Sequence, residues 1–463
     1  MSDDVFKRSV QIERKPTEVF AWHEKPGAFE RLAPPWQRIE VTERSGGIRT
    51  GATVKLRSKI GSKRVEWEVE HRDYVEGVQF RDRQLRGPFA KWEHLHLVEP
   101  VQASDRASQL TDEIAYRLPF GGLGKIVGGG FARRELERLF NYRHAVTKAD
   151  NETAARLISV RPLRILIAGA SGLVGRALVP FLQTQGHSVT RLVRREPKSA
   201  DEAFWDPAAG RLDPQVMRGV DVVINLSGEG VAEGRWSEKR KAAILSSRVD
   251  STRTLVRAIA AQHHVRFRPF VFISGSATGY YGNHGAAVLD ENAKLGAGFL
   301  ADVCDAWERE ASAAEALDVR VVRLRTGVVL TSAGGALAKL LPVFRAGVGG
   351  PLGAGQRWMS WISIDDLVGA IYHAIMDRRC DGAVNAVAPE AVTNAEFTRT
   401  LARVLRRPAI VPVPPVALRA VFGEMADETL LTSARVVPGK LTEALYAFRH
   451  VSLEQALRHV LGR

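Results

Sequence analysis

The chain has only two cysteines in 463 residues, Cys304 and Cys380, and neither stands in a CxxC or other metal-ligand spacing. That excludes a disulfide framework and a cysteine-built metal centre, and it points to free thiols in a reducing compartment. No metal site is read from the spacing of any other residues. No apolar run is long enough to span a bilayer. The charged start, Met1-Ser-Asp-Asp-Val-Phe-Lys-Arg, lacks a signal-peptide core. These absences predict a soluble, cytoplasmic protein with no integral membrane segment. Formal net charge is +14, yet the cations are mostly scattered arginines, without a long basic block or an aromatic-interleaved basic stripe. Nucleic acid is therefore not expected as a partner. Hydrophobic residues at 45% and charged residues at 25% are a globular composition. The length calls for more than one domain.

What the chain does have is the stretch Arg164-Ile-Leu-Ile-Ala-Gly169-Ala-Ser-Gly172-Leu-Val-Gly175-Arg-Ala-Leu. Ile165 to Ala168 read as a buried strand, the glycines follow as G-x-x-G-x-x-G, and Leu173, Val174, Ala177 and Leu178 fall at helical spacing. In that context Gly169 permits the tight turn, Gly172 lets backbone approach a pyrophosphate, and Gly175 lets helix pack on strand. The anion would sit on the helix N-terminus. The alternative is a glycine turn in an α/β protein with no ligand. A second strand, Ser188 to Val193, runs into Arg194-Arg195. An NAD enzyme usually places an acidic residue there to hold the ribose 2′-hydroxyl, whereas guanidinium suits a 2′-phosphate. NADP(H) is thus expected over NAD(H), the alternative being a solvated arginine pair at a strand end. Val220 to Ile224 is the next strand and runs into Asn225-Leu226-Ser227-Gly228. Phe270 to Ile273 leads into Ser274-Gly275-Ser276-Ala-Thr-Gly-Tyr280-Tyr281-Gly282. Strands alternating with helices from residue 163 onward predict a doubly wound parallel sheet, with ligands at the strand C-termini.

The first 150 residues carry no such fingerprint. Phe6 to Ile12 alternates like a strand, and Pro16 to Trp22 and Gly27 to Leu32 read as short helices. Strand-like runs follow at 39–42, 53–60, 65–74, 78–83, 92–98 and 109–118, and a helix is expected over about Phe131 to Val146. The glycines between Gly121 and Gly130 lack the lysine-serine pair of a phosphate loop and read as a flexible turn. Polar residues from Lys148 to Arg156, ending before Arg161-Pro162, mark the expected domain boundary.

Strand, two short helices, antiparallel meander and long helix resemble the helix-grip fold of the START-like, polyketide-cyclase-like (SRPBCC) superfamily. That resemblance rests on element order and implies a domain over residues 1–150 with an apolar cavity and a hydrophobic ligand; a packed, ligand-free domain is the alternative. For residues 163–463 the resemblance is closer. The glycine fingerprint, the Asn225–Gly228 turn, the serine-rich strand end with Tyr-Gly, Arg325-Thr-Gly-Val-Val-Leu330 and Trp358-Met-Ser-Trp361-Ile-Ser-Ile-Asp365-Asp366 look like the short-chain dehydrogenase/reductase superfamily. More narrowly they resemble its atypical, epimerase-like group, with an epimerase-associated segment over about 408–463. This implies an α/β fold with a Rossmann-type parallel sheet preceded by an α+β helix-grip domain. It implies that Gly169, Ser171, Gly172, Leu173, Val174, Gly175, Arg194, Arg195 and Asn225, Leu226, Ser227 and Gly228 contact NADP(H). Ser274, Gly275 and Ser276 would lie near the nicotinamide.

The resemblance breaks at the proton-transfer residues. Typical members pair Tyr-x-x-x-Lys with a serine. The helix that should carry the pair, Gly298-Phe-Leu-Ala-Asp-Val-Cys304-Asp-Ala-Trp307-Glu308, has neither residue, and no tyrosine anywhere is followed four residues later by lysine. Ser276 matches the serine, and Tyr281 fits a Ser-x-x-x-Tyr-Gly pattern with one extra residue. Two expectations follow. One is an NADP(H)-dependent oxidoreductase or epimerase-like enzyme acting on a small-molecule substrate, with Ser276 and Tyr281 catalytic. The other is a non-catalytic NADP(H)-binding sensor.

Overall fold

Residues 3–60, 63–101, 104–157, 159, 161–262 and 269–463 are described by a computed structural model of the chain. It divides into two units, one built on Met1–Ile158 and the other on residues 159–461.

In the first unit the elements follow the order read from the sequence: β1 (Asp4–Ile12), α1 (Pro16–Glu24), α2 (Ala28–Leu32), then β2 (Glu40–Arg44), β3 (Thr53–Ile60), β4 (Lys63–Val75), β5 (Gln79–Arg86), β6 (Lys91–Val101), β7 (Ser104–Arg117) and α3 (Gly121–Arg156). The strands form one antiparallel sheet in the order β1-β7-β6-β5-β4-β3-β2. Alternation sets its buried face, since Trp92, His94, His96 and Val98 of β6 point one way and are all buried. Leu136 and Phe140 of α3 cover Phe6, Trp92, Ile114 and Tyr116, and a second cluster gathers Ile12, Val19, Phe20, Phe80, Val98 and Leu110.

Helix α3 departs from expectation at both ends. The glycine stretch from Gly121 is helical, not a flexible turn, and the polar residues 148–156 are the helix's last turns, not a linker. At Gly124 a side chain would collide with the carbonyl of Pro119, so close backbone approach accounts for at least one of these glycines. The polar end is held from inside. Asp150 is fully buried and accepts from Nε and a terminal nitrogen of Arg31 at 2.8 and 3.0 Å.

The second unit contains β8 (Arg164–Ala168), α4 (Leu173–Thr184), β9 (Ser188–Val193), β10 (Glu202–Asp206), β11 (Arg211–Leu212), β12 (Val222–Asn225), α5 (Glu238–Ala260), β13 (Val271–Ala277) and α6 (Phe299–Ser312), followed by strands Arg320–Thr326 and Gly382–Ala386. These make one sheet in the order β11-β10-β9-β8-β12-β13, then Arg320–Thr326, then Gly382–Ala386. Every pairing is parallel except that of β10 with β11. Ile165 to Ala168 are at most 1% exposed, so both faces of β8 are covered, as a doubly wound sheet requires. The order reverses between β8 and β12, which opens the crevice at the C-terminal ends of those strands. Among the described residues no helix is long and apolar enough to cross a membrane.

Candidate functional site

The glycine turn sits at that crevice. Gly169 has φ +82°, and a Cβ there would lie 2.6 Å from the carbonyl carbon of Leu226 and 2.8 Å from the amide of Ser227. The Leu226 amide donates to the Ala168 carbonyl at 2.9 Å, so the turns after β8 and β12 touch through backbone. Gly175 is equally constrained, since its Cβ would stand 2.6 Å from Ala170 Cα. Gly172 is different. Among the described residues a Cβ there would meet only the Gly169 carbonyl, at 3.2 Å, and the glycine is exposed together with Ser171, while Leu173 and Val174 are half-buried. Two glycines are therefore needed by the protein's own packing, and the third lies open at the crevice.

The β12 turn is fixed by its asparagine. Asn225, fully buried, donates to Ser251 and Thr252 at 3.2 and 2.9 Å and accepts the Ser227 amide at 3.0 Å. This leaves Leu226 and Ser227 half-buried and Gly228 exposed beside the turn. The two arginines after β9 have different positions. Arg195 binds Glu202 with both terminal nitrogens, at 2.8 and 2.7 Å. Arg194 is exposed and makes no ion pair among the described residues, so it alone of the two has its guanidinium available.

Strand β13 runs farther than expected and carries the serines within it. Ser274 is fully buried, and Gly275 is required by α6, since a Cβ there would meet the Trp307 ring at 2.7 Å. Ser276 donates to Glu308 of α6 at 2.7 Å. Arg325 donates to both oxygens of that carboxylate, at 2.8 and 2.9 Å, and to the Tyr281 hydroxyl at 3.0 Å. Tyr281 in turn donates to Asn385 at 2.7 Å. The Tyr281 side chain is completely buried among Leu289, Val387 and Val436, and burial pushes its pKa up to about 12. Tyr281, expected as a proton donor, thus gives its hydrogen to Asn385, accepts from Arg325 and has no face toward solvent. Glu308, Arg325 and Asn385 were not among the expected site residues. One signal was available, the spacing Cys304-x-x-x-Glu308 on a helix, which puts both on one face.

Cys304 lies on that face, 3% exposed, and its thiol pKa is pushed up to about 11 by burial and then by Glu308. Cys380 is likewise buried, with its thiol raised to about 11. Both are neutral thiols near pH 7, and the thiolate is the reactive form. Iodoacetamide should label neither in the folded chain and both after denaturation, read by intact mass. Rapid labelling of Cys304 in the folded protein would mean that it opens onto the crevice.

Comparison with known proteins places these features in a family. The NAD dependent epimerase/dehydratase family model matches residues 165–386, and a domain of unknown function, DUF1731, matches 413–460. An epimerase family protein of Mycobacterium bovis is 42% identical over 299 residues, which is 65% of this chain and 98% of the relative. The crystal structure of a nucleoside-diphosphate sugar epimerase from Corynebacterium glutamicum superposes with a TM-score of 0.80 at 31% identity, over 99% of this chain and 90% of that one. The human epimerase family protein SDR39U1, solved with NADPH, matches with a TM-score of 0.57 at 32% identity, over 64% of this chain and 99% of its own. The chain belongs to the NAD-dependent epimerase/dehydratase family, in the SDR39U1-like group.

Proposed function

We propose that the second unit binds NADP(H) across the turns after β8, β9 and β12 and uses it in oxidoreductase or epimerase-type chemistry on a small hydroxylated substrate. The observation that carries this is the pairing of an open Gly172 with an unpaired, exposed Arg194 at the neighbouring strand end. The residues fit the group. Ser171, Gly172, Leu173 and Val174 form the turn and helix start, where free amides suit a pyrophosphate. Arg194 suits the 2′-phosphate, and Leu226, Ser227 and Gly228 edge the crevice. When bound, the dinucleotide supplies or accepts hydride. NADPH in the human relative's structure supports the same assignment.

On the substrate side the chain offers Ser276. Its hydrogen is committed to Glu308, so toward a ligand the oxygen presents lone pairs and accepts from a substrate hydroxyl. A proton taken there passes along the same bond to the Glu308 carboxylate, which Arg325 holds in place. A second reading, a non-catalytic NADP(H) sensor, is favoured by the sealed Tyr281 and by the lack of tyrosine and lysine on α6. NADPH turnover against a panel of alcohols and carbonyls separates the two, and loss of turnover in Ser276→Ala with cofactor affinity kept would establish the first. We place the protein in the cytoplasm, and read its first unit as a START-like helix-grip domain from the single sheet, the element order and the long α3. The covered face of that unit carries His94, His96 and Asp112 beside its apolar residues, which argues against the purely apolar ligand expected from the resemblance.

Arg194→Ala is expected to weaken NADPH about tenfold to a hundredfold, because a hydrogen-bonded charge pair is worth about 1.5–3 kcal/mol. NADH affinity should not change. Arg195→Ala should affect neither cofactor, since its guanidinium is already held by Glu202. Fluorescence titration with both cofactors checks this, and equal wild-type affinities for NADPH and NADH would refute the assignment.

A further inference from the structure

We propose that the first unit holds a divalent first-row transition-metal ion between Asp82, His94 and His96. The sheet brings these residues together from separate strands. His71 of β4 pairs with Asp82 of β5, Asp82 pairs with His94 of β6, and His96 pairs with Asp112 of β7. The period of two puts His94 and His96 on the same face. His94 Nδ1 lies 3.6 Å and His96 Nε2 lies 3.4 Å from the same Asp82 oxygen, Oδ2. One donor atom from each of the three residues lies within 4.8 Å of the others. Ligands at about 2.0–2.2 Å from one ion stand about 3–3.5 Å apart, so contraction around a cation takes only small side-chain shifts.

The outer nitrogens give the independent support. His94 Nε2 and His96 Nδ1 both face Asp112 Oδ1, at 2.8 and 2.7 Å. If each imidazole donates its hydrogen outward to Asp112, the inward nitrogen of each carries a lone pair directed at the Asp82 side. A carboxylate behind a histidine is the arrangement that orients metal-binding imidazoles. Asp112 is fixed in turn by His144, whose Nε2 lies 2.5 Å from Oδ2. On the inner side His71 Nδ1 closes on the other Asp82 oxygen, Oδ1, at 2.6 Å. The carboxylate is thus ringed by His71, His94 and His96, and a cation bound between them takes the place of the protons these imidazoles share with it. The Asp82 side chain keeps 19% exposure while His94 keeps 2%, which leaves an entry path through the aspartate. Two imidazoles and one carboxylate suit Zn²⁺, Fe²⁺ or Co²⁺ over Mg²⁺ or Ca²⁺, and three protein ligands leave coordination positions open for a small ligand.

The test uses the untagged, full-length chain stripped with chelator and titrated with Co²⁺, whose visible d–d bands report imidazole ligation. One equivalent is expected to bind and to be displaced by Zn²⁺. His96→Gln should abolish the bands, and Asp112→Asn should weaken Co²⁺ about tenfold to a hundredfold with circular dichroism unchanged. If the variants fail to fold, the wild-type titration decides. A wild type without imidazole-ligated bands, or bands undiminished in a folded His96→Gln, would overturn the site and leave a closed histidine–carboxylate network.

Discussion

Glu308→Ala should lower the stability of the second unit by about 3–5 kcal/mol, the cost typical of removing one partner from a buried ion pair. Glu308 and Arg325 are 6% and 4% exposed, so neither charge is solvated. Burial opposes the charge on Arg325, and Glu308 more than offsets it, holding the guanidinium above its ordinary pKa. With the carboxylate gone, Arg325 keeps the Tyr281 hydroxyl and the Glu291 carbonyl as hydrogen-bond acceptors and the Tyr280 ring beneath its guanidinium, and no counter-ion among the described residues. Ser276 loses its acceptor at the same time. The double variant Glu308→Ala/Arg325→Met should recover part of the loss, because it removes the stranded charge. Urea unfolding of wild type, both single variants and the double variant gives the cycle. A single-variant loss below about 1 kcal/mol, the level of an exposed pair, would mean that the network is open to water. Folded Glu308→Ala protein that still binds NADPH but turns nothing over would place the carboxylate in the chemistry as well.

The difference between what the sequence announces and what it conceals follows from the range of the interactions. The glycine turn is legible because strand, turn and helix lie within a dozen consecutive residues, although the backbone that makes Gly169 necessary belongs to Leu226 and Ser227 of the turn after β12. The strands of the first unit are legible because alternation is local too. Helix α3 was misread because glycine costs about 1 kcal/mol in a helix and polar residues suggest a linker. At Gly124 packing against the Pro119 carbonyl overrides propensity, and at the far end Arg31, 119 residues away from Asp150, holds the polar turns inside. The partners of Tyr281 are concealed for a similar reason. Its position after the serine strand is visible in the sequence, but the Asn385 carbonyl that takes its hydrogen is 104 residues distant. The pattern His94-Leu-His96 is visible as an alternating pair on one strand face. Its meaning depends on Asp82 and Asp112, which only the register of three strands brings alongside, so no metal spacing could be read from the chain alone.

Gly169→Ala should cost about 2–6 kcal/mol in the second unit and reduce NADPH affinity with it. Two terms add. The residue has φ +82°, and a left-handed conformation costs a non-glycine residue about 1–3 kcal/mol. The added methyl would also lie 2.6–2.8 Å from the Leu226 carbonyl group and the Ser227 amide. These are backbone atoms that no rotamer change can move aside, and overpacking of this kind costs about 1–3 kcal/mol. Relief requires the turns after β8 and β12 to separate, which breaks the bond from the Leu226 amide to the Ala168 carbonyl and displaces Ser227 and Gly228 at the crevice. Cofactor affinity and stability should therefore fall together, unlike in Arg194→Ala, where only affinity for NADPH falls. Gly172→Ala is the internal control. Its methyl would meet only the Gly169 carbonyl, at 3.2 Å, so stability should hold while the open approach to the pyrophosphate is narrowed and dinucleotide binding weakens. Thermal unfolding with and without NADPH, combined with titration, reads both quantities for the three variants. Wild-type stability and affinity in Gly169→Ala would show that the two turns are not in backbone contact.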